Sequence, residues 1–177
     1  AEYSTNRALF GYEIPTGYFQ SLNPIFILVL APFMSLLWEC LRQKDIEPTS
    51  VEKFAVALFL MTISYIILSV AGYLSVESLV SPMWLVAGYF VMTVAELCLS
   101  PIGLSLVSKL APKQFLSLAM GTWFLMCFSG NLLAGVIGGQ YERISHASLF
   151  GGLAGLSFVT FIILLFFVKK INKILNG

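Results

Sequence analysis

Charge is what this chain has least of: Asp, Glu, Lys and Arg together make up 11% of its 177 residues, against 58% hydrophobic. A soluble domain carries about 25% charged residues, because it must cover itself with water-facing groups. Most of this chain's surface therefore faces something other than water. Histidine occurs once, at His146 in a polar loop. A metal site would have no partners there, and no metal or cofactor is expected. The three cysteines, Cys40, Cys98 and Cys127, sit in or beside apolar runs without CxxC or Cys/His spacing, and they read as small buried hydrophobes. The net charge is +1, and the basic residues form no stripe interleaved with polar aromatics, which sets nucleic-acid binding aside. HExxH and GxSxG are absent, which argues against an enzyme. No repeat of about 20–50 residues and no Gly/Ser-rich linker divides the chain, so one membrane domain is expected. It opens Ala1-Glu2-Tyr3-Ser4, without an initiator Met, a signal peptide or a transit peptide, and is expected to be a piece of a longer protein.

What the sequence has is long hydrophobic runs. A bilayer core of about 30 Å needs roughly 20 apolar helical residues. Five segments meet that requirement: about 17–41, 54–74, 83–107, 115–139 and 147–168. Each is too long for a strand, and in lipid only a helix or a closed barrel satisfies its own backbone hydrogen bonds. An all-α integral membrane protein of about five transmembrane helices is the expected fold class. Pro24 and Pro32 interrupt the first span and Pro101 the third, where kinks are expected.

The cations give the orientation. Arg42, Lys44 and Lys53, then Lys109 and Lys113, then Lys169, Lys170 and Lys173 fall on one side if the helices alternate. The other side has Arg7 and Arg143. The positive-inside rule makes the first group cytoplasmic, so residue 1 is expected outside the cell and the C-terminus inside.

Eight of the nine acids lie in loops or near span ends; the ninth is Glu96. It stands 14 residues after Pro82 and 13 before Lys109, which at ~1.5 Å per residue is ~20 Å from either flank and close to the bilayer midplane. A carboxylate there costs ~2.5 kcal/mol or more and normally faces a water-filled cavity or a paired partner. A protonated Glu hydrogen-bonded between helices is the structural alternative. Tyr89, Thr93, Glu96, Ser100 and Gly103 recur three or four residues apart and form one polar stripe, as an aqueous substrate path would require. Asn23, before Pro24 and one turn after Gln20, suits either an interhelical hydrogen bond or a substrate contact. Trp123, eight residues into the fourth span from Phe115 and nearer its inner side than its centre, suits an interfacial anchor. Ala134, Gly135, Gly138 and Gly139, with Gly151, Gly152 and Gly155, read as close-packing faces.

Three segments stand in order. Tyr18-Phe19-Gln20-Ser21-Leu22-Asn23-Pro24 runs through an apolar stretch to Ala31-Pro32. Glu96-Leu97-Cys98-Leu99-Ser100-Pro101-Ile102-Gly103-Leu104-Ser105 leads to Lys109-Leu110-Ala111-Pro112. Met120-Gly121-Thr122-Trp123-Phe124-Leu125 precedes Gly130-Asn131 and Ala134-Gly135. Their order and spacing resemble the proton-dependent oligopeptide transporter family, a branch of the major facilitator fold, over almost the whole chain.

The resemblance implies a 12-helix transporter built of two six-helix halves around a central site open alternately to either side. The five spans would be its helices 8–12, with Ala1–Arg7 continuing from the seventh. Residues 1–177 would then be the C-terminal six-helix bundle without most of its first helix. It further implies proton-coupled symport of di- and tripeptides across the cell membrane. The expected partners are the peptide, protons, the bilayer and the N-terminal half. By the same resemblance, Asn23 and Glu96 would receive the peptide's amino terminus, since a carboxylate suits an ammonium. Ser100 would line the same cavity, Trp123 and Phe124 would wall a side-chain pocket, and Met120 with Trp123 would belong to a cytoplasmic gate. Two alternatives remain open at this point: a relative of the same fold carrying another small solute such as nitrate, and a membrane subunit that transports nothing.

Overall fold

The computed structural model describes residues 5, 8–9, 12–13, 15–46, 48–76, 79–139 and 144–175. Among them a short hairpin, β1 (Ala8–Leu9) and β2 (Tyr12–Glu13), precedes six α-helices. These are α1 (Thr16–Gln20), α2 (Leu22–Gln43), α3 (Ser50–Leu74), α4 (Met83–Leu110), α5 (Leu116–Gly138) and α6 (His146–Leu175), with a 3-10 turn at Lys113–Phe115 leading into α5. Five helical segments are long and apolar enough to cross a membrane, with α1 and α2 together making the first. Residues 1–4 and 6–7, expected to end a preceding helix, lie outside the described residues, as does Arg143.

Local chemistry explains where the helices depart from the apolar runs. The first span is broken at Ser21, because Pro24 has no N–H to give to the Gln20 carbonyl four residues earlier. Ile25 N instead donates to Ser21 O at 3.2 Å, which restarts the ladder one residue past the break. α3 begins four residues ahead of its apolar run because Thr49 and Glu52 form a capping box. Thr49 Oγ1 accepts from Glu52 N at 3.3 Å, and Glu52 Oε2 accepts from Thr49 N at 2.7 Å. After α2 the chain turns at Asp45, whose φ of 55° is left-handed. A short polar side chain tolerates that conformation, and it lets Ile46 N reach Leu41 O at 3.0 Å. α6 runs on past Val168 into its lysine-bearing end, since a helix need not stop where the hydrocarbon does.

α3 packs on both α6 and α4, and α4 also carries α2 and α5. Small residues set the close approaches. A Cβ on Gly72 would stand 2.8 Å from Ala147 N, so the end of α3 lies directly against the start of α6. Ser69 Oγ donates to Ala147 O at 2.8 Å across the same seam, and Ser157 Oγ donates to Leu58 O at 3.2 Å further down it. Between α3 and α4, Ser64 Oγ donates to Gly88 O at 2.9 Å and is fully buried. Near the α2–α3 turn, Lys53 Nζ lies 4.7 Å from the Trp38 ring centroid, a cation–π contact. Thr5 bridges in parallel to Val80 in the α3–α4 connection, which fastens Thr5 to that end of the bundle.

Two expectations need correction. Among the described residues the glycines of α5 form no close-packing face: Gly130, Gly135 and Gly138 have open space around an added Cβ, as do Gly152 and Gly155 in α6, whereas a Cβ on Gly151 would meet Ser69 Oγ at 3.3 Å. Among the long helices α5 leans chiefly on α4, and none of its described residues is buried. Of the cysteines only Cys98 is buried; Cys40 and Cys127 are exposed.

Candidate functional site

Glu96 occupies the middle of α4, 13 residues after its first residue and 14 before its last. The break at Ser21 brings Asn23, in the first turn of α2, beside it. Asn23 Nδ2 donates to Glu96 Oε2 at 3.1 Å. On the other side of the same amide, Thr93 Oγ1 lies 2.6 Å from Asn23 Oδ1 and 2.7 Å from Tyr89 O. The α2–α4 contact is sealed by Phe26 and Phe90, whose rings meet edge to face at 5.7 Å. Asn23 and Glu96 remain half-buried, whereas Thr93 is fully buried.

A carboxylate has room for about four hydrogen bonds. Among the described residues Glu96 receives one, on Oε2, and no cation lies within ion-pairing distance. An acid at mid-helix with most of its acceptor capacity open can take a cationic ligand, a proton or water. Ser100, one turn on, is exposed.

The polar stripe thus divides into parts. Thr93 faces Asn23 rather than an aqueous path, and Gly103 is covered. A Cβ on Gly103 would stand 2.3 Å from Trp123 Cη2 and 3.1 Å from Phe54 Cζ, so the indole lies flush on the backbone of α4. That contact seats α5. Below it opens a cleft of about 320 Å³ lined by Val107, Phe115, Leu118, Thr122, Trp123 and Met126 among others. Met120 is half-buried and outside that lining, and Phe124 is 61% exposed. Phe124 is not among the residues lining the cleft, so Trp123 and Phe124 do not share this wall. Gly103 is seven residues beyond Glu96, or ~10 Å along the axis, and none of the described hydrogen bonds joins Trp123 to the Asn23–Glu96 pair.

With that arrangement in view, comparison with known proteins is decisive. The model of the family described as POT matches residues 3–154. The chain belongs to the POT family. A protein named peptide transporter YePEPT, from Yersinia enterocolitica, is 41% identical over 141 residues, covering 78% of this chain and 28% of that protein. A di-/tripeptide transporter of Lactococcus lactis is 33% identical over 166 residues, covering 93% of this chain and 33% of that one. Among solved structures, a peptide transporter POT in complex with sulfate superposes with a TM-score of 0.88 at 36% identity, covering 97% of this chain and 35% of that chain. The chain therefore spans about a third of the length of the POT proteins it matches. Its all-helical fold is that of POT transporters, and it is a multi-pass membrane protein.

The POT chain's candidate site was partly visible in its sequence. Asn23, Glu96 and the Thr93 hydroxyl were all identifiable as polar groups within apolar spans. The seating of Trp123 on Gly103 was not, although a glycine seven residues from a membrane acid was a signal available to be read.

Proposed function

We propose that this chain is the C-terminal part of a proton-coupled symporter of di- and tripeptides that works by alternating access. Its five spans correspond to helices 8–12 of a 12-helix transporter, and residues 1–177 form the C-terminal bundle without most of its first helix. The observation that carries the reading is the Asn23–Glu96 pair: a carboxylate at the middle of α4, fixed through one oxygen and open at the other. A peptide's amino terminus is an ammonium, and a charge-assisted bond to that free oxygen is the strongest single polar contact the site offers. Ser100 would extend the polar lining by one turn. Trp123 and Phe124 would contact side chains of the peptide, and Met120 with Trp123 would close the cytoplasmic side. The N-terminal half would supply the rest of the cavity, covering α5 and the open face of α2. The cation distribution supports a cell-membrane orientation with residue 1 outside and the C-terminus inside.

The test is uptake of a labelled dipeptide by the full-length transporter in liposomes, driven by an inward proton gradient. Glu96→Gln keeps the shape and one acceptor while removing the charge. Uptake should fall at least about tenfold, the value of one charge-assisted hydrogen bond, with thermal unfolding unchanged. Unaltered uptake would reduce Glu96 to a structural residue. No uptake by the wild type would move the substrate away from peptides.

A further inference from the structure

The two ends of an Asn side chain have nearly the same shape, yet one accepts hydrogen bonds and the other donates them. With Glu96 ionised, only one orientation serves it. With Nδ2 toward the acid, Glu96 gains a donor; reversed, Oδ1 would confront a carboxylate oxygen. The group behind Asn23 therefore matters, and that group is Thr93.

We propose that Thr93 is a positioning residue: its hydroxyl holds the Asn23 amide so that Nδ2 stays on Glu96 and the second carboxylate oxygen stays free. This rests on the reading of Asn23 and Glu96 as the receptor for a peptide's amino terminus. Thr93 Oγ1 is 2.6 Å from Asn23 Oδ1, which has no other donor among the described residues. The same hydroxyl is 2.7 Å from Tyr89 O, four residues back. The one hydroxyl hydrogen is shared between Asn23 Oδ1 and Tyr89 O, and the bond back to Tyr89 O pins χ1 of a β-branched side chain. Tyr89 O fixes Thr93, Thr93 fixes Asn23 Oδ1, and Asn23 Nδ2 at 3.1 Å fixes Glu96 Oε2. Thr93 has no exposed surface and cannot touch the substrate itself. Its influence passes wholly through Asn23.

The full-length transporter with Thr93→Val, which keeps the branched shape and removes the donor, tests this. KM for a dipeptide should rise by roughly three- to tenfold, the effect of one misdirected hydrogen bond, with Vmax within about twofold. Thr93→Ser should restore the wild-type KM. Should Thr93→Val fail to fold, Thr93→Cys, with a weaker donor, should give a smaller rise in the same direction. A wild-type KM in the folded variant, or no rescue by Ser, overturns the inference.

A second measurement does not depend on transport. Thr93 and Glu96 do not bond to one another, so non-additive melting temperatures in the Thr93→Val and Glu96→Gln cycle should appear with Asn23 present and vanish in an Asn23→Ala background. Additivity throughout, or coupling that survives loss of Asn23, overturns the inference. If the wild type takes up no peptide but the coupling behaves as expected, the peptide reading fails and the linkage stands.

Discussion

Replacing Gly103 with Ala puts a single methyl where the structure has no room for one. The added Cβ would lie 2.3 Å from Trp123 Cη2 and 2.9 Å from Cζ2, whereas ordinary contact begins near 3.4 Å. The indole must therefore retreat by about 1 Å, beyond the tolerance of a close-packed contact. Phe54 Cζ at 3.1 Å stands on the methyl as well, which limits sideways escape. α5 rests chiefly on α4, so the strain either rotates Trp123 off its seat or shifts α5. Overpacking of this kind costs about 1–3 kcal/mol. The assay is denaturant unfolding of the purified full-length transporter in detergent, run on Gly103→Ala, Trp123→Phe and the double variant. The atoms that clash belong to the six-membered part of the indole, so Trp123→Phe should relieve most of the loss. The cycle should show a favourable coupling of about 1 kcal/mol or more. A Gly103→Ala protein within about 0.5 kcal/mol of the wild type, or additive losses, would refute the seating of α5 through this contact.

Gly72→Ala should be more damaging than Gly103→Ala, because its Cβ meets backbone, Ala147 N at 2.8 Å, that cannot rotate away. Gly152→Ala, with nothing within 4 Å, should stay within about 0.5 kcal/mol of the wild type, and a thermal melt of the two side by side checks the contrast. Thr49→Ala breaks the capping box of α3 and should cost about 1 kcal/mol, with Thr49→Ser recovering most of it in the same melt.

The helices of this protein were legible because the bilayer imposes a length and a composition that few other structures need. Of the three prolines expected to kink a span, only Pro24 goes with a break, while α2 runs on through Pro32 and α4 through Pro101. Pro24 announced a kink, yet the break at Ser21 follows from which carbonyl loses its donor. The hairpin of β1 and β2 left no signal, since strands of two residues are too short to show alternation. The sequence reading of Thr93 as cavity-facing went wrong because helical spacing defines a face without saying what covers it. The same holds for the glycines of α5, which look like packing faces by composition and meet no other helix among the described residues.

Composition and periodicity alone determined that the chain lives in a membrane and crosses it about five times. They also determined that one acid, Glu96, sits where an acid is expensive. Those conclusions follow from solvation, which acts on each residue where it stands. Which groups meet Glu96 is another matter: Asn23 lies 73 residues away in the chain, and spacing within one helix says nothing about the rotation of another against it. Only packing of α2 on α4 decided that the amide reaches the acid and that Thr93 stands behind it. Only the approach of α5 to Gly103 decided where Trp123 rests. Steric fit between helices is a property of pairs of surfaces, and it exists only once both are assembled.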